Sequence, residues 1–291
     1  MIPIIDLQAH DVLDRIDKAY TTVGFAVFVN ALNYSEQKDM NTWFKTLKEF
    51  FKLPLEIKKQ YAYKGGIPIF GYSGLDVLYE QSPGVFDIKE LFDYQNLKES
   101  KVLWPNLDNF KNNALRSIEI AESHTLRVLK LFDTILDTGT TLFDAHNSLY
   151  NPVSFTRIIH YPSYNGILKD NQLRIAEHCD FGTITSIWQV NNVSGLEVQD
   201  LNGIWHTVPY AEDSVIVNIG DLLQRWTNDY FVSTKHRVGC SNIHLDKYSM
   251  PHFAHPIPGT KICNLRDKEI AKYSPIESKE YLLARLEGKN V

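Results

Sequence analysis

Ala176-Glu177-His178-Cys179-Asp180-Phe181-Gly182 is the stretch on which the reading of this chain turns. It sets an imidazole and a carboxylate two residues apart in a segment, 175–180, that reads as β-strand. Side chains at i and i+2 of a strand leave the sheet on one face, so His178 and Asp180 converge while Cys179 points away. Two ligands do not hold a metal. A third is offered by His236, in Thr234-Lys235-His236-Arg237-Val238, which reads as a second strand. Two histidines and one carboxylate, with coordination positions left open, suit non-heme Fe(II) and oxygen activation. His-x-Asp alone is a weak pattern, and a hydrogen-bonded surface pair beside an unrelated buried histidine is the competing reading.

Outward from this stretch the chain keeps a β character. Short runs rich in β-branched and aromatic residues fall at 155–160, 175–180, 183–189, 195–199, 203–208, 214–219, 234–239 and 249–255. Asp200-Leu201-Asn202-Gly203 is a good hairpin turn between two of them. Strands at this spacing predict a double-sheet jelly roll or a related barrel. Residues 222–226 read as a helical turn or a bent strand, and 278–286 as a charged helix.

The first 150 residues read as helix-rich. Strands are expected at 2–7 and 24–29, and helices at 10–20, 35–51 and about 105–137. Ser35 is the expected N-cap of the second helix and Leu53-Pro54 its exit, with a further helical turn at 58–61. Met40, Trp43, Phe44, Leu47 and Phe51 recur at helical spacing and are expected to be core. Residues 65–74, with their glycines and a proline, read as loop. The fold class is therefore α+β with a mainly β core, a double-stranded β-helix (jelly roll) flanked by helices. Residues 1–291 are expected to form one domain, helix-rich over 1–150 and jelly roll over 151–291.

Composition excludes several classes. The 291 residues are 44% hydrophobic and 22% charged, as in an ordinary globular protein. A net charge of -5 and a pI near 6.1 speak against a nucleic-acid partner. No apolar run reaches the roughly 18 residues a membrane helix needs. The three cysteines, Cys179, Cys240 and Cys263, suggest neither a disulfide framework nor a zinc knuckle. The start of the chain has no signal-peptide pattern. A cytoplasmic protein, a monomer or small homo-oligomer with a small-molecule partner, is the expectation.

Motif order adds a resemblance. Ile2-Pro3-Ile4-Ile5-Asp6-Leu7, Gly24-Phe25 and Leu53-Pro54-Leu55-Glu56 are followed by Arg157-Ile158-Ile159-His160-Tyr161-Pro162 and the His178 stretch. Gly195-Leu196-Glu197-Val198, Gly203-Ile204-Trp205, Asn218-Ile219-Gly220-Asp221 and Ser233-Thr234-Lys235-His236-Arg237-Val238 complete the series. Over nearly its full length the chain resembles the isopenicillin N synthase-like family of Fe(II)- and 2-oxoglutarate-dependent dioxygenases.

The resemblance implies Fe(II) held by His178, Asp180 and His236, with 2-oxoglutarate and O2 as cosubstrates. It implies oxidation of an unactivated C–H bond of a small molecule, by hydroxylation or else desaturation or cyclisation, with release of succinate and CO2. A carboxylate at position 180 agrees with oxygenation, since alanine or glycine there would leave room for a halide. The family grips the far carboxylate of 2-oxoglutarate with an Arg-x-Ser pair. This chain has Lys247-Tyr248-Ser249 instead, eleven residues after His236, about one more than the common spacing. Lysine binds as a point charge without the two-toothed fork of arginine. Arg237 should point to the opposite sheet face and is discounted as its stand-in. Tyr161 matches the family's cosubstrate tyrosine, while Ile159 replaces an asparagine. Phe181, Arg225, Trp226, His252 and Tyr72 are the expected substrate contacts. The altered Lys247 and Ile159 keep open a rival, an oxidase of the same fold that uses no 2-oxoglutarate; a non-catalytic binding or sensor protein of the same fold is the second rival.

Overall fold

The computed structural model describes residues 1–62, 70–74, 80–82, 84–95, 102–148, 151–266 and 268–289. The first half contributes β1 (Ile4–Asp6), α1 (Val12–Thr22), β2 (Phe25–Val29), α2 (Tyr34–Lys52) and α3 (Leu55–Lys58). Then come β3 (Gly71–Ser73), β4 (Glu80–Ser82), β5 (Val85–Phe86), β6 (Glu90–Tyr94), α4 (Phe110–Leu136) and α5 (Thr141–His146). The second half runs β7 (Phe155–Tyr161), β8 (Ile175–His178), β9 (Ile184–Gln189), β10 (Leu196–Gln199), β11 (Trp205–Thr207) and β12 (Val215–Ile219). It closes with α6 (Asp221–Trp226), β13 (His236–Val238), β14 (Lys247–Ala254), β15 (Lys261–Ile262), β16 (Ile276–Glu277) and α7 (Ser278–Leu286).

Two sheets face each other as the jelly-roll reading requires. The major one has eight strands in the order β1-β2-β12-β9-β14-β7-β6-β3, and the minor one four, β11-β10-β13-β8. Four strands of the major sheet come from before residue 150. β12 is buried along its whole length, so apart from Asn218 it reads as an apolar run rather than an alternating one. β14 carries the alternation that matters. Lys247, Ser249, Pro251 and Phe253 face the space between the sheets, while Tyr248, Met250 and Ala254 join the core under the helices.

The helices cover the back of the major sheet. α2 buries Met40, Trp43, Phe44, Leu47, Phe50 and Phe51, so the aromatic stripe is core as expected. Trp43 meets Phe110 of α4 edge-on at 5.0 Å and Tyr94 of β6 at 5.7 Å. The N-cap is Asn33, not Ser35. Its side chain accepts the Glu36 N–H at 3.0 Å, and the Glu36 carboxylate accepts the Asn33 N–H at 3.0 Å. This reciprocal box satisfies two otherwise open donors, which a serine two residues later does not match. α4 begins at Phe110 rather than near 105, after Asn109 in a left-handed conformation.

Several elements escaped the sequence reading, among them β3, β6 and α5. Residues 71–73, expected to be loop, form β3 and pair with β6; residues 65–69 of that expected loop lie outside the described residues. β6 reads as Glu-Leu-Phe-Asp-Tyr, yet all five residues are buried. Its two carboxylates are matched from distant segments. Glu90 accepts from Lys58 Nζ at 2.6 Å, Tyr72 Oη at 2.5 Å and His160 Nδ1 at 2.7 Å. Burial pushes its carboxyl up, but these three hydrogen bonds outweigh burial and hold it below the usual value. Asp93 takes a two-toothed bond from Arg157, 2.7 Å on each side. α5 starts where the Asp133 carboxylate, from the helix before it, accepts the N–H groups of Leu142 and Phe143 at 2.9 Å.

Asn33→Ala should lower stability by about 1 kcal/mol, the usual cost of a lost N-cap. Denaturant melts with an unchanged m-value check this, and metal binding should not move.

Candidate metal centre

The centre is built where the two sheets approach each other. In the minor sheet β8 and β13 run antiparallel, and their register sets His178 opposite His236. The two rings lie 4.3 Å apart by centroid. The strand ends at His178, two residues earlier than expected, and Asp180 turns back from just beyond it. Its Oδ1 is 3.8 Å from Nε2 of each histidine. The three donor atoms lie within 4.8 Å of one another.

Each donor is oriented by a neighbour. Nδ1 of His178 faces the Ala176 carbonyl at 2.9 Å, and Nδ1 of His236 faces that of Thr234 at 3.1 Å. A carbonyl only accepts, so Nδ1 carries the proton on both rings and Nε2 keeps its lone pair for a metal. Asp180 Oδ2 accepts from Thr185 Oγ1 at 2.6 Å and from Asn218 Nδ2 at 2.8 Å. Thr185 and Asn218 are register partners on β9 and β12, so the major sheet fixes the carboxylate that the minor sheet's histidines need.

Two glycines make this approach feasible. A Cβ on Gly220 would lie 2.2 Å from the Gly182 carbonyl oxygen, and one on Gly182 would lie 2.6 Å from that of Ala254. With no side chains there, Asp221 N donates to Asp180 O at 2.7 Å and Leu222 N to Gly182 O at 3.2 Å.

Charge states suit a divalent cation. Burial brings the His236 imidazole down to about 4, against the pull of Asp180, so the ring is neutral at neutral pH. Burial raises the Asp180 carboxyl, but His236, His178 and the two hydrogen bonds prevail, and it is ionised. A neutral imidazole and a carboxylate bind a metal with no proton to expel.

Beyond the three donors lies a cavity of about 560 Å³. Tyr161, Lys247 and Ser249, singled out from the sequence, line it together with His178, Asp180 and His236. Lys247 is only 2% exposed, and its Nζ donates to the Val193 carbonyl at 2.7 Å and to Gln189 Oε1 at 3.3 Å. Among the described residues no carboxylate lies within ion-pair distance of it. Burial, then the charge of Arg174, brings the ammonium down to about 8. Ser249 Oγ is 3.4 Å from Tyr161 Oη. Ile159 adds an apolar wall. Arg237 points away, bonded to Glu197 Oε2 at 2.7 Å and stacked 4.0 Å from Trp205.

The five expected substrate contacts do not line this cavity. His252 lies on the other face of β14, with Nδ1 on Thr156 Oγ1 at 2.9 Å; the alternation that brings in Pro251 and Phe253 excludes it. Arg225 donates to the Ser274 carbonyl at 2.7 Å and covers Tyr273. Trp226 belongs to the core, and Phe181 sits under the Arg285 guanidinium at 4.7 Å. Tyr72 is engaged by Glu90. The walls come instead from Asp87, Lys89, Arg157, Glu177, Pro251 and Phe253, among others. Period-two counting back from Tyr161 finds Arg157, and counting forward from Lys247 finds Pro251 and Phe253. No sequence pattern marks Asp87 or Lys89.

Known proteins share this arrangement. The model of the 2OG-Fe(II) oxygenase superfamily matches residues 152–256, and that of the non-haem dioxygenase in morphine synthesis N-terminal region matches residues 2–112. Proline hydroxylase buaE of Petromyces alliaceus is 32% identical over 280 residues, covering 88% of this chain and 86% of its own. The chain belongs to the 2OG-Fe(II) oxygenase superfamily. Clavatol oxidase claD of Penicillium crustosum is 30% identical over 87% of this chain and 85% of its own. A full-length Neurospora crassa protein, solved by crystallography in complex with alpha-KG, superposes with a TM-score of 0.86 at 27% identity, covering 99% of this chain and 96% of that one. The protein is thus a non-heme Fe(II)- and 2-oxoglutarate-dependent dioxygenase, with Fe(II), 2-oxoglutarate and O2 as its cofactors. The non-catalytic reading and the oxidase without 2-oxoglutarate give way.

Asn218→Ala or Thr185→Val should weaken metal affinity roughly 10- to 100-fold, the usual effect of losing a partner that orients a ligand. Titration with Fe(II) under anaerobic conditions checks it, and unchanged affinity in both variants would contradict the role given to Asp180 Oδ2.

Proposed function

We propose that this protein hydroxylates an unactivated C–H bond of a small polar molecule, with His178, Asp180 and His236 as the iron ligands and Lys247, Ser249 and Tyr161 as the cosubstrate seat. One observation carries the cosubstrate part, the buried ammonium of Lys247 facing the cavity that the three metal donors open into. An unpaired buried cation is costly and calls for an anion. Ser249 and Tyr161, on the neighbouring strand positions, offer hydroxyl donors for the same carboxylate. The likeness to the Neurospora crassa protein solved with alpha-KG supports the same reading.

When bound, Fe(II) with 2-oxoglutarate and O2 supplies a two-electron oxidation in which one oxygen atom enters succinate, the other enters the substrate, and CO2 leaves. The chain supplies placement. His178, Asp180 and His236 would hold the metal, and the cavity they line would take the cosubstrate and the substrate. Ile159, Ile187, Leu196 and Val238 keep the floor dry, which strengthens the pull of Lys247 on an anion. On the substrate wall the Lys89 ammonium is held by Asp87 at 2.6 Å, and the Arg157 guanidinium by Asp93. Their charges offset one another. Beside Phe253, such a wall favours a compact molecule with dipolar groups over one with a large net charge. Three thiols without disulfide partners support a reducing, cytoplasmic setting. Among the described residues no helix is long and apolar enough to cross a membrane. Four early strands in the major sheet support treating 1–291 as a single domain.

His178→Ala and Asp180→Ala should each abolish iron binding and succinate formation while the circular dichroism spectrum stays that of the wild type. Retained iron stoichiometry and turnover in both would sink the ligand assignment.

The pH dependence is set by Lys247. Its ammonium is charged below about 8 and loses its proton as pH rises through that value. KM for 2-oxoglutarate should therefore be flat on the acid side of this point and climb on the alkaline side. Lys247→Arg, whose guanidinium stays charged, should remove the climb. Steady-state succinate assays decide this, and a climb that persists in Lys247→Arg would assign it to another group.

A further inference from the structure

Lys247 is not the only buried cation at its end of the cavity. Arg174, in the segment leading into β8, is 1% exposed. Its Nη2 donates to the carbonyls of Ile243 and Leu245, both at 2.8 Å, and Nη1 to that of Tyr161 at 3.4 Å. Its own backbone N–H is tied to Val238 O of β13 at 2.9 Å. Nε is buried without a partner, and among the described residues no carboxylate comes within ion-pair distance. The guanidinium stands 5.9 Å from the ring centroid of Tyr161.

A buried guanidinium hydrogen-bonded only to carbonyls is an expensive brace, because an amide or an aliphatic stem would fill the site without desolvating a charge. Placing it near a second buried ammonium adds repulsion. Both costs fall when a carboxylate enters the same end of the cavity. The groups around Lys247 do not already supply one. Gln189 and the Val193 carbonyl are neutral, and Tyr161 is a phenol held protonated by burial. Cys240 is a thiol bonded to the Gln172 carbonyl. Asp246 turns outward, accepting from Ser163 N at 2.7 Å and lying 3.4 Å from His160 Nε2.

We propose that Arg174 is a positioning residue for 2-oxoglutarate, bracing the turn that delivers Lys247 and Ser249 and adding a second positive charge behind the seat of the far carboxylate. In this chain the two services of a single arginine are divided. Lys247 makes the contact, and Arg174 supplies fixed charge and rigidity from behind Tyr161. The inference rests on the reading that Lys247 seats that carboxylate.

The test is calorimetric titration of the full chain, loaded with Mn(II) in place of Fe(II) so that nothing turns over. Two ligands are compared, 2-oxoglutarate and 2-oxobutyrate, which lacks the far carboxylate. Arg174→Gln should weaken 2-oxoglutarate about tenfold and leave 2-oxobutyrate unchanged, as removal of a nearby buried charge predicts. It should also move the alkaline loss of 2-oxoglutarate binding to higher pH, because Lys247 is relieved of a repelling neighbour. Arg174→Lys, which keeps the charge, should stay within about threefold of wild type with the alkaline limit in place. Equal weakening of both ligands with an unmoved alkaline limit would reduce Arg174 to a structural brace and overturn the proposal, as would wild-type binding by Arg174→Gln. Should Arg174→Gln not fold, Arg174→Lys decides, and a loss for 2-oxoglutarate as large as that of Lys247→Met would count against it. Lys247→Met that still prefers 2-oxoglutarate over 2-oxobutyrate would remove the underlying seat instead, a separate result.

Discussion

The carboxylate of Asp180 is the joint between the two sheets, and the rest of the site depends on how its two oxygens are divided. One is taken by Thr185 and Asn218, which stand side by side on the major sheet. The other looks across at two imidazoles set opposite each other in the minor sheet. Neither sheet holds the three donors by itself. The sheets can close this far because Gly182 and Gly220 let backbone meet backbone where any side chain would intrude. The arrangement of the three donors is thus a property of how the sandwich shuts as much as of the three residues themselves.

A similar economy governs the buried charges. Glu90 and Asp93 lie in a strand with no exposed residue, and each is matched from distant parts of the chain, Glu90 by Lys58, Tyr72 and His160 and Asp93 by Arg157. These contacts tie α3, β3, β6 and β7 into one block behind the cavity. At the other end, Lys247 and Arg174 are left without carboxylates among the described residues. The carboxylates of the block are matched within the fold, whereas the two cations at the other end are not, and the proposed cosubstrate seat rests on that difference.

Legibility in the sequence tracked the range of the forces involved. His178 and Asp180 could be read because period two is a local geometric rule, and His236 because it sits in a strand with its own pattern. The jelly-roll strands and the aromatic stripe of α2 were legible for the same reason. β6 was not, since its carboxylates look like surface until Lys58, His160 and Arg157 are brought to them by the fold. α5 was hidden because its cap is a side chain from the preceding helix. The expected substrate contacts lie outside the cavity for a simpler reason. The parity of β14 puts His252 on the far face, and Arg225 and Trp226 belong to a helix turned toward the C-terminal segment. Lys89 and Asp87 carry no pattern at all and are known only from the assembled wall.

The alternation along β14 has an implication for how such a chain can change length. Inserting one residue inside the strand would exchange its two faces, sending Lys247 or Phe253 among the helices and Tyr248 or Met250 into the cavity. The turn before the strand, over residues 239–246, imposes no such parity. The extra residue between His236 and Lys247 can therefore be absorbed there without disturbing the strand beyond it. A change of length between the distal histidine and the basic residue leaves both faces of β14 in place, whereas one inside the strand does not. A search for relatives of this chain would do well to score the second interval strictly and let the first one float.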